Sequence, residues 1–323
     1  MASIKLTSAD AKKIYYDMAL VRKFEEKSIQ LYGMGYIAGF FHAYIGQEAI
    51  ATGFNFLKKP QDSHITSYRC HAHALLQGEL NANEVMAELT GRATGSSHGK
   101  GGSMHIYSKE HNFLGGNGIV GAQVPLGAGA AFAHKYKKDG GVCVAYLGDG
   151  AMPQGQVYEA FNLASLMKLP LVIVVENNGY SMGTSLERTH ANTNLSIRGE
   201  PFNIPGEKVD GMNILDVLEK GSKAIDYARN KGPYLLEAIT YRYRGHSMSD
   251  PQKYRSKEEV EKMRNNFDPI DNFVKHALSK KLLNDADIKE IDKQIKDIVN
   301  KAEEFALNSP EPDLSELYTN VLL

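Results

Sequence analysis

Two near-continuous apolar runs, VCVAYL at 142–147 and LVIVVE at 171–176, each break off abruptly into polar residues. Runs this apolar fit strands covered on both faces, the habit of parallel sheets. Between them, residues 155–168 place Val157, Phe161, Ala164 and Met167 on one face of a helix. Strand, helix and strand at this spacing make a βαβ unit, and such units build parallel sheets. The expectation is an α/β protein with an open parallel sheet covered by helices. A chain of 323 residues is long enough to bury its core.

Both strands of a βαβ unit point the same way, so their C-terminal ends share one edge of the sheet. Gly148-Asp149-Gly150 ends the first run, and Glu176-Asn177-Asn178-Gly179-Tyr180 ends the second. Asp149 and Asn178 are therefore brought together. A carboxylate, an amide oxygen and a main-chain carbonyl form a hard-oxygen set suited to magnesium, which completes its octahedron with phosphate and water. The flanking glycines let backbone approach a diphosphate, and the helix that follows favours anions at its N-terminus. An Asp helix cap plus an Asn-Gly turn is the plain alternative. Their pairing across one crossover favours the cation.

The remaining chain places the other elements. Residues 8–32 carry Ile14, Met18, Val21, Phe24 and Leu31 near helical spacing after Ser8, a candidate cap. Residues 91–129 are glycine-rich loop leading into a helical pattern at 124–136, and 232–244 supplies another strand. From about Ser256 the chain is charged and helical. The expected division is an α/β domain over 1–255, with its N-terminal helical segment, and a helical C-terminal tail over 256–323.

Three short motifs invite other readings. GNGIVG at 116–121 satisfies G-x-G-x-x-G, but the preceding YSKEHNFLG reads as polar and broken rather than as the strand a dinucleotide site needs. GSSHG at 95–99 satisfies G-x-S-x-G, yet no strand precedes it. GSSHGKG approaches a Walker loop with the spacing one short and Gly101 in place of the Ser or Thr. His71 and His73 have no third ligand in view for a metal. Lys plus Arg is 37 against 38 for Asp plus Glu, so no overall field draws nucleic acid or anionic membrane. No apolar stretch is long enough to span a bilayer. Two cysteines, Cys70 and Cys143, argue against a disulfide framework.

G-D-G followed at a distance by N-N resembles the diphosphate-binding signature of thiamine diphosphate enzymes. GKGGSMH, GGNGIVGAQVPLGAG, ENNGYSMGTS and YRYRGHSMSDP are more closely similar to the alpha subunits of pyruvate dehydrogenase, the decarboxylating component of 2-oxo acid dehydrogenase complexes. The resemblance runs from about Lys12 into the helical tail. It implies magnesium held by Asp149, Asn178 and the carbonyl of Tyr180, and diphosphate met by Gly150 and Ala151 N–H groups, Tyr68 and Arg69. It implies main-chain contacts from Gly118 and Val120 to the aminopyrimidine ring, and His42 and His246 at the mouth of the active site. It implies oxidative decarboxylation of pyruvate and transfer of the acetyl group to a lipoyl arm on the acyltransferase component. Acetoin-cleaving and branched-chain relatives share the fold and cofactor, and a cofactor-retaining but catalytically idle subunit would keep the same motifs.

Ser247 matches the kinase-controlled serine of mitochondrial members, but DPQKYR after it is one residue shorter than their pattern. With the start MASIKLTSADAKK lacking a presequence pattern, a bacterial cytoplasmic enzyme is expected, a processed form in the mitochondrial matrix being the alternative. The family also needs an acid to activate the pyrimidine. Glu48, Glu159 and Glu176 are the acids nearest the motifs, and none belongs to a motif for that role. The resemblance places it on a beta subunit, with two alpha and two beta chains expected, and the small-residue helix VPLGAGAAFAH at 124–134 is a candidate for close packing there.

Overall fold

The computed structural model describes residues 4–319 and Val321. The chain begins with helix α1 (Ser8–Gly33) and helix α2 (Glu48–Leu57), then strand β1 (Ser63–Ser67) and helices α3 (His71–Leu76) and α4 (Ala82–Leu89). Strand β2 (Phe113–Asn117), helix α5 (Gln123–Lys137), strand β3 (Cys143–Gly148), helix α6 (Gly155–Leu166) and strand β4 (Leu171–Asn177) follow. A small hairpin, β5 (Tyr180–Ser181) with β6 (Thr184–Ser185), leads through helix α7 (Leu186–Thr189) to strand β7 (Gly206–Asp210), helix α8 (Ile214–Asn230) and strand β8 (Tyr234–Ile239). Helices α9 (Lys257–Phe267), α10 (Pro269–Ser279) and α11 (Asp285–Asn308) come last. No described helix is long and apolar enough to cross a membrane.

The main sheet has six strands in the order β2-β1-β3-β4-β8-β7, every pair parallel. This is the open, helix-covered parallel sheet expected of the chain. Alternation decides which helices cover which face. Cys143, Ala145 and Leu147 of β3, with Leu171, Ile173 and Val175 of β4, pack with residues of α5 and α6. Val144, Tyr146, Val172 and Val174 pack with residues of α2 and α8 on the other face. Gly127 lets α5 lie close on the sheet, since a Cβ there would meet Ala145 and Ile65.

A third core lies beside the sheet. Ile14, Met18, Val21, Phe24 and Leu31 of α1 join Val85 and Met86 of α4 and Ile291, Ile295, Val299 and Ala302 of α11 in one buried cluster. Burying each such side chain contributes about 2 kcal/mol. Arg22 fastens this layer, its Nε 2.6 Å from Glu48 Oε1 and its Nη2 3.0 Å from Asp268 Oδ2. The cap of α1 is Thr7 rather than Ser8, in a reciprocal capping box with Asp10.

Strand β2 corrects one expectation, because GNGIVG begins within the last two residues of a strand. That strand is short and contains two glycines, which is why it reads as loop. The Walker-like stretch has a different fate. The amides of Ser97, Gly99, Gly101 and Gly102 all donate to the fully buried Glu88 carboxylate, at 2.7–3.0 Å. The loop is a nest wrapped around an anion that the chain itself supplies. Replacing Glu88→Gln turns an amino group toward these donors and is expected to cost about 3 kcal/mol. The urea midpoint measures this, and a loss under about 0.5 kcal/mol would show that the nest tolerates a neutral centre.

Candidate active site

A cavity of about 740 Å³ opens at the C-terminal edge of the sheet. Tyr68 and Arg69 follow β1, Gly118 and Val120 follow β2, and Asp149, Gly150 and Ala151 follow β3. Asn178 and Tyr180 follow β4, and His246 follows β8. His42 enters from the segment before α2. Every site residue expected from the sequence lines this one cavity, at the edge where open parallel sheets bind ligands.

The register explains the central pair. Gly148 lies beside Glu176, so the single 3₁₀ turn Asp149–Ala151 sits next to the turn that carries Asn178. Gly179 has φ 82°, a left-handed conformation that suits glycine and swings the chain into the hairpin. Ser181 then donates to Asp149 Oδ2 at 3.3 Å. A Cβ on Gly150 would run into that serine, so the close approach requires glycine. His190 Nε2 donates to the Asp149 carbonyl at 3.1 Å and fixes the turn from behind. Burial pushes the Asp149 carboxyl above the usual carboxylate range, opposed by backbone N–H groups and the Arg242 charge.

Asn178 is oriented from both ends. Its Nδ2 donates to Gln47 Oε1 at 3.1 Å, and its Oδ1 accepts from Arg242 Nη1 at 3.0 Å. The same Nη1 donates to the Tyr180 carbonyl at 3.0 Å. Asn178 Oδ1 and Tyr180 O therefore already converge on a positive charge, beside the Asp149 carboxylate. One carboxylate and two neutral oxygens form a donor set that fits a hard divalent cation. Among the described residues no three His, Cys, Asp or Glu side chains gather as a metal group.

Arg69 binds the walls of the cavity together, donating to the carbonyls of Ala43 at 2.6 Å and His246 at 2.8 Å. Burial lowers it to about 10, which leaves it cationic at neutral pH. The rings of His42, Tyr68 and His246 cluster, with centroids 4.5 Å apart for His42–Tyr68 and 5.3 Å for His42–His246. Burial first, then the Arg69 charge, lowers His42 to about 2 and His246 to about 4. Both imidazoles are neutral near pH 7, each offering one donor and one acceptor.

Gln47, Glu176, Ser181, Arg242, Asp250 and Tyr254 also line the cavity and were not singled out from the sequence as cofactor or metal contacts. Arg242 and Ser181 lie inside motifs already quoted, but their partners are hydrogen bonds that no local pattern reveals. Of the candidate activating acids, Glu48 is held by Arg22 and the Gly46 amide, and Glu159 is exposed on α6. Glu176 is buried in β4, borders the cavity and accepts from Tyr44 OH. The loop 242–255 is fastened by Arg242, by Asp250 accepting from the His246 amide at 2.6 Å and by Arg255 donating to the carbonyls of 242 and 244.

The model of the dehydrogenase E1 component family matches residues 16–315. The chain belongs to that family. Its members are thiamine diphosphate-dependent. Among curated relatives, the pyruvate dehydrogenase E1 component subunit alpha of Rhizobium meliloti is 54% identical over 99% of this chain and 92% of its own length. The protein of the same description from Zymomonas mobilis is 55% identical over 96% of this chain and 88% of its own. The testis-specific mitochondrial form from Rattus norvegicus is 49% identical over 98% and 80%.

The neutral imidazoles make this E1 chain sensitive to acid. The native pKa of His42 lies below its unfolded value of about 6.5, so the unfolded chain takes up the proton first as pH falls. The stability is intact above about pH 6.5 and is lost as pH falls toward the native value, by about 2 kcal/mol between pH 7 and 5. Denaturation of the wild type and His42→Asn at both pH values measures this. Equal pH dependence in the two would exclude His42 as its source.

Proposed function

We propose that this chain is the alpha subunit of a pyruvate dehydrogenase E1 component, oxidatively decarboxylating pyruvate and passing the acetyl group to a lipoyl arm of the acyltransferase component. The observation that carries the reading is the convergence of all the motif residues on one cavity at the sheet edge, in a chain 49–55% identical to relatives of that description. Similarity to the two bacterial relatives supports a bacterial cytoplasmic location, which stays part of the proposal.

Asp149, Asn178 Oδ1 and the Tyr180 carbonyl would hold magnesium against the diphosphate. The Gly150 and Ala151 amides, Tyr68 and the Arg69 guanidinium would meet its oxygens, and Gly118 and Val120 would present main chain to the pyrimidine. When bound, thiamine diphosphate supplies the electron sink that loss of carbon dioxide from a 2-oxo acid requires. The protein supplies position and exclusion of water, with Phe40, Met104, Val120, Met182 and Pro251 giving apolar wall. His42 and His246, neutral at the mouth, orient the substrate carboxylate by donating a hydrogen bond. An arriving anion raises their proton affinity, so either is fitted to hold a proton during acyl transfer.

The activating acid would come from a beta subunit. Two observations support a partner. Glu176, which borders the cavity, is already engaged by Tyr44. Helices α5 and α6 turn their small or buried residues to the sheet, yet leave Leu126, Phe132, Tyr136, Leu163 and Leu166 exposed on their outer side; Met167, expected on the inner face with Val157, Phe161 and Ala164, instead follows the end of α6 and is exposed. An outer face this apolar is what an obligate interface covers.

Two outcomes are expected. Asp149→Ala should lower magnesium-dependent affinity for thiamine diphosphate at least about 100-fold in calorimetric titration while circular dichroism is unchanged, since the only charged ligand is lost. Retained affinity would remove Asp149 from the metal site. The purified chain alone should not turn over pyruvate with saturating cofactor, and adding the beta subunit should restore turnover on pyruvate over branched-chain 2-oxo acids and acetoin. Turnover by the lone chain would place the acid within this sequence.

A further inference from the structure

Arg242 is nearly inaccessible, at 2% exposure, and lies at the centre of the candidate metal site. Its Nη1 donates to Asn178 Oδ1 and to Tyr180 O, both at 3.0 Å. Its Nη2 donates to Met182 O at 2.7 Å and to Tyr254 OH at 2.9 Å. Nε has no partner and is buried. One guanidinium thus donates to both neutral oxygens of the three-oxygen set, and the third member, Asp149, is the only anion among them.

We infer that Arg242 makes cation binding at Asp149, Asn178 and Tyr180 conditional on the diphosphate. The inference rests on the metal assignment proposed above. A guanidinium is cationic at any pH the protein survives. A divalent cation held by Asn178 Oδ1 and Tyr180 O would lie close to this guanidinium, which donates to both oxygens, and the two positive charges would repel. A single carboxylate does not offset three positive charges. The diphosphate does, and it also gives Arg242 a second anionic partner to turn toward. The pair of cation and diphosphate enters together, and neither a free cation nor an uncharged thiamine ring satisfies the site.

The guanidinium is also tied to the wall that carries His246. Tyr254, which accepts from Arg242, donates to Asp250 Oδ2 at 2.7 Å, and Asp250 accepts from the His246 amide. A change in Arg242's partners is therefore passed to that loop by direct contacts.

The test uses the complex of this chain with its beta subunit, and manganese(II) as a hard-oxygen stand-in for magnesium. Equilibrium dialysis counts the manganese retained, and electron spin resonance reports its bound state. Wild type should retain manganese at least 100-fold more weakly without thiamine diphosphate than with it. Inorganic pyrophosphate should restore retention, and thiamine should not. Arg242→Gln, which removes the charge, should bring the ratio below tenfold by tightening binding of the cation alone. Arg242→Lys, which keeps the charge, should hold the wild-type ratio. A folded Arg242→Gln complex with the wild-type ratio overturns the inference, as does wild type that retains manganese equally with thiamine alone. Should Arg242→Gln fail to fold, Arg242→Met removes the same charge and is read by the same ratio. Wild type that retains no manganese even with thiamine diphosphate would instead overturn the metal assignment.

Discussion

The parallel pairing of β3 with β4 is the constraint from which the site follows. With Gly148 beside Glu176, the two polar tips emerge level, and Asp149 faces the turn of Asn178 with no insertion between them. A slip of one residue would turn Ile173 and Val175 away from α6 and would also separate the oxygens. The same apolar contacts that hold the sheet therefore hold Asp149 and Asn178 together. A carboxylate and an amide remote in sequence are made adjacent by strands whose burial is worth far more than either polar contact.

Around that pair the chain concentrates charge it cannot leave unmatched. Asp149, Glu176, Arg69 and Arg242 are all buried at the cavity wall. Each is met by hydrogen bonds. Ser181 and backbone meet Asp149, Tyr44 meets Glu176, two carbonyls meet Arg69, and four oxygens meet Arg242. A buried charge so arranged is expensive to disturb, which keeps the cavity in one shape. The histidines are the exception. They carry no charge at neutral pH because burial, and then the arginine charge beside them, disfavours the proton, so the mouth of the site responds to an incoming anion while its floor does not.

How much of this the sequence displays depends on the range of the interaction. Strands β3 and β4 are legible because all their side chains face apolar layers. Strand β2 is not, because Gly115 and Gly116 remove the side chains that would mark it. Strand β7, GEKVD, is an edge strand whose residues mostly meet solvent. Asp149 and Asn178 were readable because they follow the ends of β3 and β4, whereas His42, Tyr68, Arg69, Gly118, Val120 and His246 were marked only by the resemblance of their motifs. Arg242 was not, although it lies within YRYRGHSMSDP, because its role is set by Asn178, Tyr180 and Met182, far away in the chain. The small-residue helix α5 was half legible. Gly127 and Ala131 pack on the sheet as a core helix would, while the outer face carries Leu126 and Phe132.

The two glycine-rich stretches show why composition alone does not locate an anion site. Backbone amides that converge at a turn need a negative charge, whatever its source. At 97–102 the need is met within the chain, since Glu88 at the end of α4 reaches back and takes all four amides. Such a loop has nothing left to offer a phosphate, however closely its letters approach a nucleotide motif. At 148–151 Glu176 lies beside Gly148 but is engaged by Tyr44, and Asp149, which belongs to the turn itself, meets Ser181. Two buried arginines, Arg69 and Arg242, line the same cavity. Those arginines, rather than the glycines, distinguish this edge of the sheet from the self-satisfied loop at 97–102.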